Sequence, residues 1–224
     1  MMVISCEHAS NAVPEEYRFL FAGHEAVLQS HRGWDPGAAD LAAHMHQTLG
    51  VPLFVTAFTR LLVEANRSID SNELFSEFSK GLSVQEKEDV LRQFYFPYRT
   101  QVEEALLKQP KPVLHLSIHS FTPVLMDLVR ELEIGLLFDP EREMERIFCE
   151  KLQRELLQRL PELRILFNEP YKGTDDGLVT AMRKKFPGNE YLGIEVEVNQ
   201  KLIGTSLEAE LTKALTESIR CLVQ

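Results

Sequence analysis

The sequence has few of the features that mark secreted, membrane or nucleic-acid-binding proteins. It contains three cysteines, Cys6, Cys149 and Cys221, an odd and widely spaced set that forms neither a disulfide framework nor a Cys-x-x-Cys metal site. No apolar run approaches the roughly 20 residues of a membrane span, and no secretory signal pattern opens the chain. The formal net charge of -10 disfavours nonspecific nucleic-acid binding, which needs a basic face. We therefore expect a cytoplasmic protein without nucleic-acid or membrane partners.

The order of apolar patterns predicts an α/β protein. The 224 residues are 44% apolar and 26% charged, which is ordinary for a globular chain. No linker divides them, so we expect one domain over residues 1–224. Short apolar runs alternate with segments of helical periodicity, which predicts a mostly parallel sheet covered on both faces. Predicted strands begin at residue 3 and cover residues 52–57, 113–121, 133–138, 164–167 and 191–199, and predicted helices cover residues 38–49, 83–95, 98–108, 141–160, 178–185 and 206–223.

Two of the strand-like runs end in histidine, at His8 and His119. Ligand sites of open α/β sheets lie beyond the carboxyl ends of the strands, and a catalytic zinc takes about three ligands from histidine and carboxylate. Both histidines are therefore candidate metal ligands, and the alternative is that each is a buried, hydrogen-bonded histidine. Asp35, in a Gly/Pro-rich loop before a helix, is either the third ligand or a simple helix cap. Glu7 competes for that place if the first strand ends before His8.

Charged residues near two other runs have two interpretations each. Glu195 and Glu197 share one strand face with Asn199, and they form either the polar outer face of an edge strand or a catalytic pair. In the second case one carboxylate takes a proton from water activated by the metal, and a neighbouring carboxylate raises its pKa. Arg60 and Arg67 bracket an apolar stretch, where they either bind substrate carboxylates or form surface salt bridges.

Two further polar residues in these runs are expected to be structural. His115 shares a strand face with His119 but lies about 13 Å upstream at the rise of a strand. Cys6 stands beside His8, and that pairing is also found in thiolate nucleophiles. A buried and inert thiol is nevertheless the ordinary state of a cysteine in an apolar strand.

Six segments resemble motifs of one enzyme family and occur in that family's order. They are Ser5-Cys6-Glu7-His8-Ala9-Ser10-Asn11-Ala12-Val13-Pro14, Trp34-Asp35-Pro36-Gly37-Ala38, Thr59-Arg60-Leu61-Leu62-Val63-Glu64-Ala65-Asn66-Arg67-Ser68, Ile118-His119-Ser120-Phe121, Asn168-Glu169-Pro170-Tyr171 and Glu197-Val198-Asn199. On these motifs the chain resembles the N-formylglutamate amidohydrolase family, and within it the broad branch with a Cys-Glu-His-Ala opening. It departs from the expected pattern at Glu64-Ala65, where Asp-Leu is common, and at Asn199, where Arg is common.

The resemblance implies a three-layer α/β/α fold of the phosphorylase/hydrolase type, akin to zinc carboxypeptidases, with a mostly parallel mixed sheet. It also implies one zinc ion per chain and hydrolysis of the amide of an N-formyl or N-acyl acidic amino acid, such as N-formylglutamate. Carried over by motif, the zinc ligands are His8, Asp35 and His119. The implied general base is Glu197, with Glu195 as the second catalytic candidate. The implied substrate-binding residues are Arg60, Asn66, Arg67, Ser10 and Asn11.

Two other functions fit the same residues. Another amidase or peptidase, acting on short peptides or cell-wall fragments, would use the same site. A metal-free binding protein for an acidic metabolite would keep only the fold. Metal content separates the binding protein from the enzymes, and a substrate panel separates the enzymes from each other. Histidine and carboxylate ligands also admit iron, cobalt, nickel or manganese, and the sequence leaves the acyl group and the oligomeric state open.

Overall fold

Eight strands form a six-stranded sheet and a separate hairpin in the computed structural model, which describes residues 1–223. The strands are β1 (Met2–Cys6), β2 (Leu53–Val55), β3 (Val113–Phe121), β4 (Val124–Leu125), β5 (Leu128–Val129), β6 (Ile134–Leu137), β7 (Ile165–Phe167) and β8 (Tyr191–Asn199). The sheet order is β2-β1-β3-β8-β6-β7. Only β6 and β8 pair antiparallel within this sheet, so the predicted mostly parallel mixed sheet is confirmed.

Helices cover both faces of the sheet. They are α1 (Glu25–Leu28), α2 (Ala38–Leu49), α3 (Val84–Val90), α4 (Phe96–Lys108), α5 (Glu143–Arg159), α6 (Leu178–Lys185) and α7 (Ser206–Val223). Helices α2, α5 and α7 belong to one apolar core, and α3, α4 and α6 belong to a second, which gives the three layers of the predicted fold. Within residues 1–223, no helix combines the length and the apolar character that a membrane crossing requires.

The two faces of the central strands differ in chemistry because side chains alternate along a strand. In β3, Leu114, Leu116 and Ile118 enter the core formed with α2, α5 and α7. Three residues that alternate with them, His115, Ser117 and His119, are polar and buried on the opposite face. Strand β8 adds Glu195 beside Ser117 and Glu197 beside His119. The sheet therefore carries a buried polar stripe that faces the α4 and α6 side.

The ends of the helices follow local sequence signals. Helix α2 has the predicted bounds and lies between Gly37 (φ +79°) and Gly50 (φ +67°), since glycine tolerates a left-handed backbone. Helix α3 opens with the predicted capping box of Ser83 and Glu86. The predicted interruption at Pro97 is wrong, because a turn of π-helix over Leu91–Tyr95 leads the chain directly into α4, and the proline lies in the first turn of α4.

The chain between β3 and β6 contains a hairpin that the sequence pattern did not predict. Strands β4 and β5 pair antiparallel over two residues each, and their turn places Met126 and Asp127 at positive φ. Four of its apolar side chains are exposed, Met126 the most at 94%. Such short strands carry too few residues to show a period of two.

Candidate metal centre and active site

Three predicted ligands meet at the carboxyl edge of the sheet. His8 lies two residues after the end of β1, His119 lies two residues before the end of β3, and Asp35 lies in the loop before α2. The backbone N–H of Asp35 donates to the carbonyl of His8 at 2.9 Å, and the N–H of Ser120 donates to Asp35 Oδ2 at 3.3 Å. Neighbouring parallel strands end at the same edge, so these backbone contacts bring the three side chains together.

The three side chains place their ligand atoms around one point. His8 Nδ1 lies 3.1 Å from Asp35 Oδ2, His119 Nδ1 lies 2.9 Å from the same oxygen, and the two Nδ1 atoms are 3.2 Å apart. Zinc–ligand bonds of about 2.0–2.2 Å at tetrahedral angles separate ligand atoms by about 3.3 Å. All three residues are buried. The spacing and the donor chemistry therefore fit a single zinc-sized cation.

The outer nitrogen of each histidine faces a carboxylate. His8 Nε2 donates to Glu64 Oε1 at 2.6 Å, and His119 Nε2 lies 3.0 Å from Glu7 Oε2 and 2.8 Å from Ser117 Oγ. An ionised carboxylate only accepts hydrogen bonds, so each Nε2 carries a proton and each Nδ1 can turn a lone pair inward. This arrangement of carboxylate, histidine and metal is the usual support of a histidine ligand.

The pKa shifts of the cluster favour positive charge between its ligand atoms. Burial alone would lower the pKa of His119, but hydrogen bonds to Asp35 and Glu7 and their charges raise that pKa well above its usual range. Burial would raise the pKa of Asp35, but the two histidines hold it well below its usual range. Protons on both Nδ1 atoms, 3.2 Å apart, would repel each other. A metal cation supplies the same charge without that repulsion.

Two buried carboxylates from β8 complete the polar floor. Glu197 Oε2 is buried and has no hydrogen-bond partner among residues 1–223. Burial, followed by the charges of Asp35 and Glu195, raises the pKa of Glu197 to about 7 against the opposing charge of His119. Burial also raises the pKa of Glu195. Strand β8 lies inside the sheet, between β3 and β6, so the alternative of a polar outer face on an edge strand is wrong.

A cavity of about 160 Å³ opens above these groups. Its lining includes eight of the residues named from the sequence, namely His8, Asp35, Arg60, Asn66, Arg67, His119, Glu195 and Glu197. It also includes six that sequence reasoning missed, namely Ser120, Leu137, Tyr171, Lys172, Asp175 and Asp176. Four of the six follow the Asn-Glu-Pro-Tyr segment or belong to it, so that motif was the available signal. The cavity is thus polar, charged and open beside the three ligand atoms.

The comparisons with known proteins identify the family. A family model described as N-formylglutamate amidohydrolase matches residues 1–204. The chain belongs to this family. The N-formylglutamate amidohydrolase family consists of hydrolases that act on amide bonds, and the resemblance noted from the motifs is confirmed. No curated protein matches this chain.

Solved structures support the fold of this family. A gene product from Agrobacterium tumefaciens has a TM-score of 0.79 and 25% sequence identity, and the match covers 100% of this chain and 92% of that chain. The N-formylglutamate amidohydrolase from Ralstonia eutropha has a TM-score of 0.68 and 16% identity, with 98% of this chain and 92% of that chain covered. The α/β architecture is therefore shared along nearly the whole chain.

Other residues of the family motifs lie away from the cavity or behind it. Ser10 and Asn11, the substrate contacts that the resemblance implied in the opening motif, do not line the cavity. Ser10 Oγ accepts from the N–H of Ala12, and Asn11 Nδ2 donates to Gln29. Glu7 lies behind His119 and accepts from the hydroxyl of Tyr98 at 2.7 Å. Its carboxylate therefore lies at the outer nitrogen of His119 and outside the group formed by His8, Asp35 and His119.

His115 and Cys6, the two polar residues that we expected to be structural, are buried away from the three ligand atoms. Ser5 Oγ lies 2.8 Å from His115 Nε2, and Tyr191 Oη lies 2.7 Å from its Nδ1, so both ring nitrogens are engaged away from the ligand atoms. Cys6 is buried, and burial raises the pKa of its thiol well above the usual value. An un-ionised thiol is a poor nucleophile, so the alternative of a thiolate nucleophile at Cys6 is not supported.

Proposed function

We propose that this chain is a zinc-dependent amidohydrolase that cleaves the amide of an N-formyl or N-acyl acidic amino acid, such as N-formylglutamate. The observation that carries the proposal is the convergence of His8 Nδ1, His119 Nδ1 and Asp35 Oδ2 beside an open polar cavity. Three protein ligands with an open side are typical of catalytic zinc, whereas structural zinc sites are closed by four. Membership of an amidohydrolase family supports amide hydrolysis as the reaction.

The three ligands would hold the zinc ion, which supplies Lewis acidity toward water and toward an acyl carbonyl. Glu197 acts as the general base. It takes a proton from the attacking water and passes it to the leaving amine. Its buried oxygen without a partner and its pKa near 7 suit a group that accepts and returns a proton close to neutral pH. Burial is the main cause of the raised pKa of Glu197, and the charges of Asp35 and of Glu195, two residues away on the same strand face, add to it.

The test of the metal is elemental analysis of protein purified without added metal. We expect about one zinc ion per chain in the wild type and none in His119→Ala, because the variant loses one of three ligands. His44→Ala, which removes an exposed histidine of α2, is the matched control and should keep its zinc. A wild type that takes up no zinc even when zinc is offered would sink the hydrolase mechanism.

The test of the base is turnover of N-formyl and N-acyl acidic amino acids by Glu197→Gln. We expect zinc to stay bound while kcat falls by roughly 10²–10⁴-fold, the usual contribution of a positioned general base. Glu210→Gln, at an exposed position of α7, should leave kcat unchanged. Normal turnover by Glu197→Gln would show that another group takes the proton.

A further inference from the structure

Arg60 and Arg67 both line the cavity, but they have different partners. Arg60 donates from Nε to Glu64 Oε2 at 2.7 Å, its Nη2 lies 2.6 Å from the same oxygen, and its Nη1 lies 3.4 Å from Asp35 Oδ1. Every nitrogen of this guanidinium therefore contacts the carboxylate of Asp35, a candidate ligand, or that of Glu64, which contacts His8.

Arg67 has one guanidinium nitrogen without a partner in the part of the chain that the structure describes. Its Nε donates at 2.9 Å to Glu73, whose side chain is 73% exposed, and its Nη1 donates to the carbonyls of Asn66 and Asp176. Its Nη2 has no acceptor among residues 1–223. An exposed ion pair of this kind is weak in water, so a carboxylate ligand can replace Glu73 at little cost.

Glu64 connects Arg60 to a metal ligand. Its Oε1 accepts from His8 Nε2 at 2.6 Å and from the N–H of Asn66 at 3.0 Å, and its Oε2 accepts from Arg60. The carboxylate is buried, and both of its oxygens are occupied. A substrate carboxylate that took the nitrogens of Arg60 would leave Glu64 buried without its counter-charge.

We propose that Arg60 and Glu64 are positioning residues that hold His8 for the metal, and that Arg67 alone anchors the substrate carboxylate. The assignment to a substrate rests on the proposed function, whereas the support of His8 does not require any particular substrate. It changes the role of Arg60 that the family motif implies, from substrate contact to support of the metal centre.

The physical basis is the orientation of the His8 ring. A hydrogen bond from Nε2 to an ionised carboxylate fixes the tautomer and the ring plane, so that Nδ1 presents its lone pair to the metal. Arg60 keeps Glu64 ionised and in place, because a buried carboxylate without a paired charge is strongly disfavoured. The same guanidinium approaches Asp35 Oδ1, which leaves Oδ2 to face the two histidines.

The experiment compares zinc affinity and steady-state kinetics of four variants. Chelator competition should show zinc binding weakened by roughly 10–100-fold in Glu64→Gln and Arg60→Ala. In both, kcat should fall after correction for zinc occupancy, with KM changed less than threefold. Arg67→Ala should bind zinc as the wild type does and should raise KM at least tenfold. Arg146→Ala, which removes an arginine paired with Glu150 on the surface of α5, is the matched control and should change neither quantity.

A second readout follows the ring of His8 directly. In the zinc-loaded wild type, the ¹⁵N and ¹H chemical shifts of the Nε2–H group of His8 should report a strong hydrogen bond to an ionised carboxylate, and Glu64→Gln should move both shifts toward those of a neutral hydrogen bond. Arg60→Lys keeps a positive charge beside Glu64 and should recover part of the zinc affinity lost in Arg60→Ala. Circular dichroism and melting curves of each variant separate these effects from a failure to fold.

Two results would overturn the inference. One is an Arg60→Ala protein with unchanged zinc affinity and a raised KM, which would make Arg60 the substrate anchor. The other is an Arg67→Ala protein with unchanged KM. A wild type that binds zinc but cleaves no N-acyl acidic amino acid would refute the proposed function instead, and the zinc affinities and the ¹⁵N shifts would still decide the role of Arg60 and Glu64.

Discussion

The buried ion pair between Arg183 and Glu145 gives the sharpest prediction about stability. Arg183 Nε lies 3.1 Å from both oxygens of Glu145, and its remaining nitrogens donate to the carbonyls of Gly173 and Gly193. Glu145 also accepts from the N–H groups of Gly193 and Asp139, both at 3.0 Å. The pair thus joins α5, α6 and β8 to the loop at Gly173, which also carries the cavity-lining residues Lys172, Asp175 and Asp176.

Removing one partner of this pair should destabilise the fold strongly. The side chains of Arg183 and Glu145 are only 5% and 0% exposed, so Arg183→Met leaves a carboxylate buried without its counter-charge. Breaking such a pair typically costs about 3–5 kcal/mol, a large part of the roughly 5–15 kcal/mol that stabilises a domain. At about 2–4 °C per kcal/mol for a chain of this size, the melting temperature should fall by roughly 6–20 °C.

Urea and thermal unfolding measure the effect, and a double variant tests its cause. Arg183→Met combined with Glu145→Leu removes both charges, so it should be more stable than Arg183→Met alone. Arg159→Met, at a partly exposed pair with Glu155, is the control and should change stability by less than about 1 kcal/mol. If Arg183→Met costs no more than this control, the buried charge of Glu145 is not the reason that the pair matters.

Two further changes test local features of the fold. Burial lowers the pKa of His115 to about 4 from 6.5. Between these pH values the unfolded chain binds a proton at His115 and the folded chain does not, so the free energy of unfolding is highest above pH 6.5 and falls by about 3 kcal/mol as the pH drops to 4. His115→Gln should flatten the curve of urea midpoint against pH, and parallel curves would contradict this. Gly37→Ala should cost at least about 1–2 kcal/mol in urea unfolding, because φ is +79° and the new Cβ would meet the side chain of Ile203. Wild-type stability in that variant would show that the loop before α2 relaxes freely.

The elements that could be predicted from sequence are those whose own residues specify them. Strands 113–121 and 191–199 were predicted with the observed bounds, because they are long and bordered by turn residues. Helix 38–49 was predicted because an apolar face and a terminal glycine coincide. The turn of π-helix over Leu91–Tyr95 carries no such local signal. It is the packing of Tyr95 and Val90 into the second core that lets the chain pass from α3 to α4 without a break.

The candidate site also has a part that could be predicted from the sequence and a part that could not. The convergence of His8 and His119 followed from a general rule, namely that neighbouring parallel strands deliver their last side chains to one edge. Asp35 lies in the loop before α2 rather than on a strand, and only the family motif singled it out from its alternatives. The support behind them did not follow from any rule of spacing. Glu64 is 56 positions from His8, and only the path of the turns after β2 brings its carboxylate to the outer nitrogen. The sequence showed an unusual Glu at this position, but it could not show what the carboxylate touches.

Charge balance favours a cation at the candidate site. The two histidines contact three buried carboxylates, Glu7, Asp35 and Glu64, and Arg60 is the guanidinium that pairs with two of them. With neutral histidines, three negative charges against one positive charge leave an excess of two negative charges out of water, which burial strongly disfavours. A divalent cation at the meeting point of the ligand atoms would offset this excess. Loss of Arg60 would therefore disturb the balance even though its side chain never reaches that point.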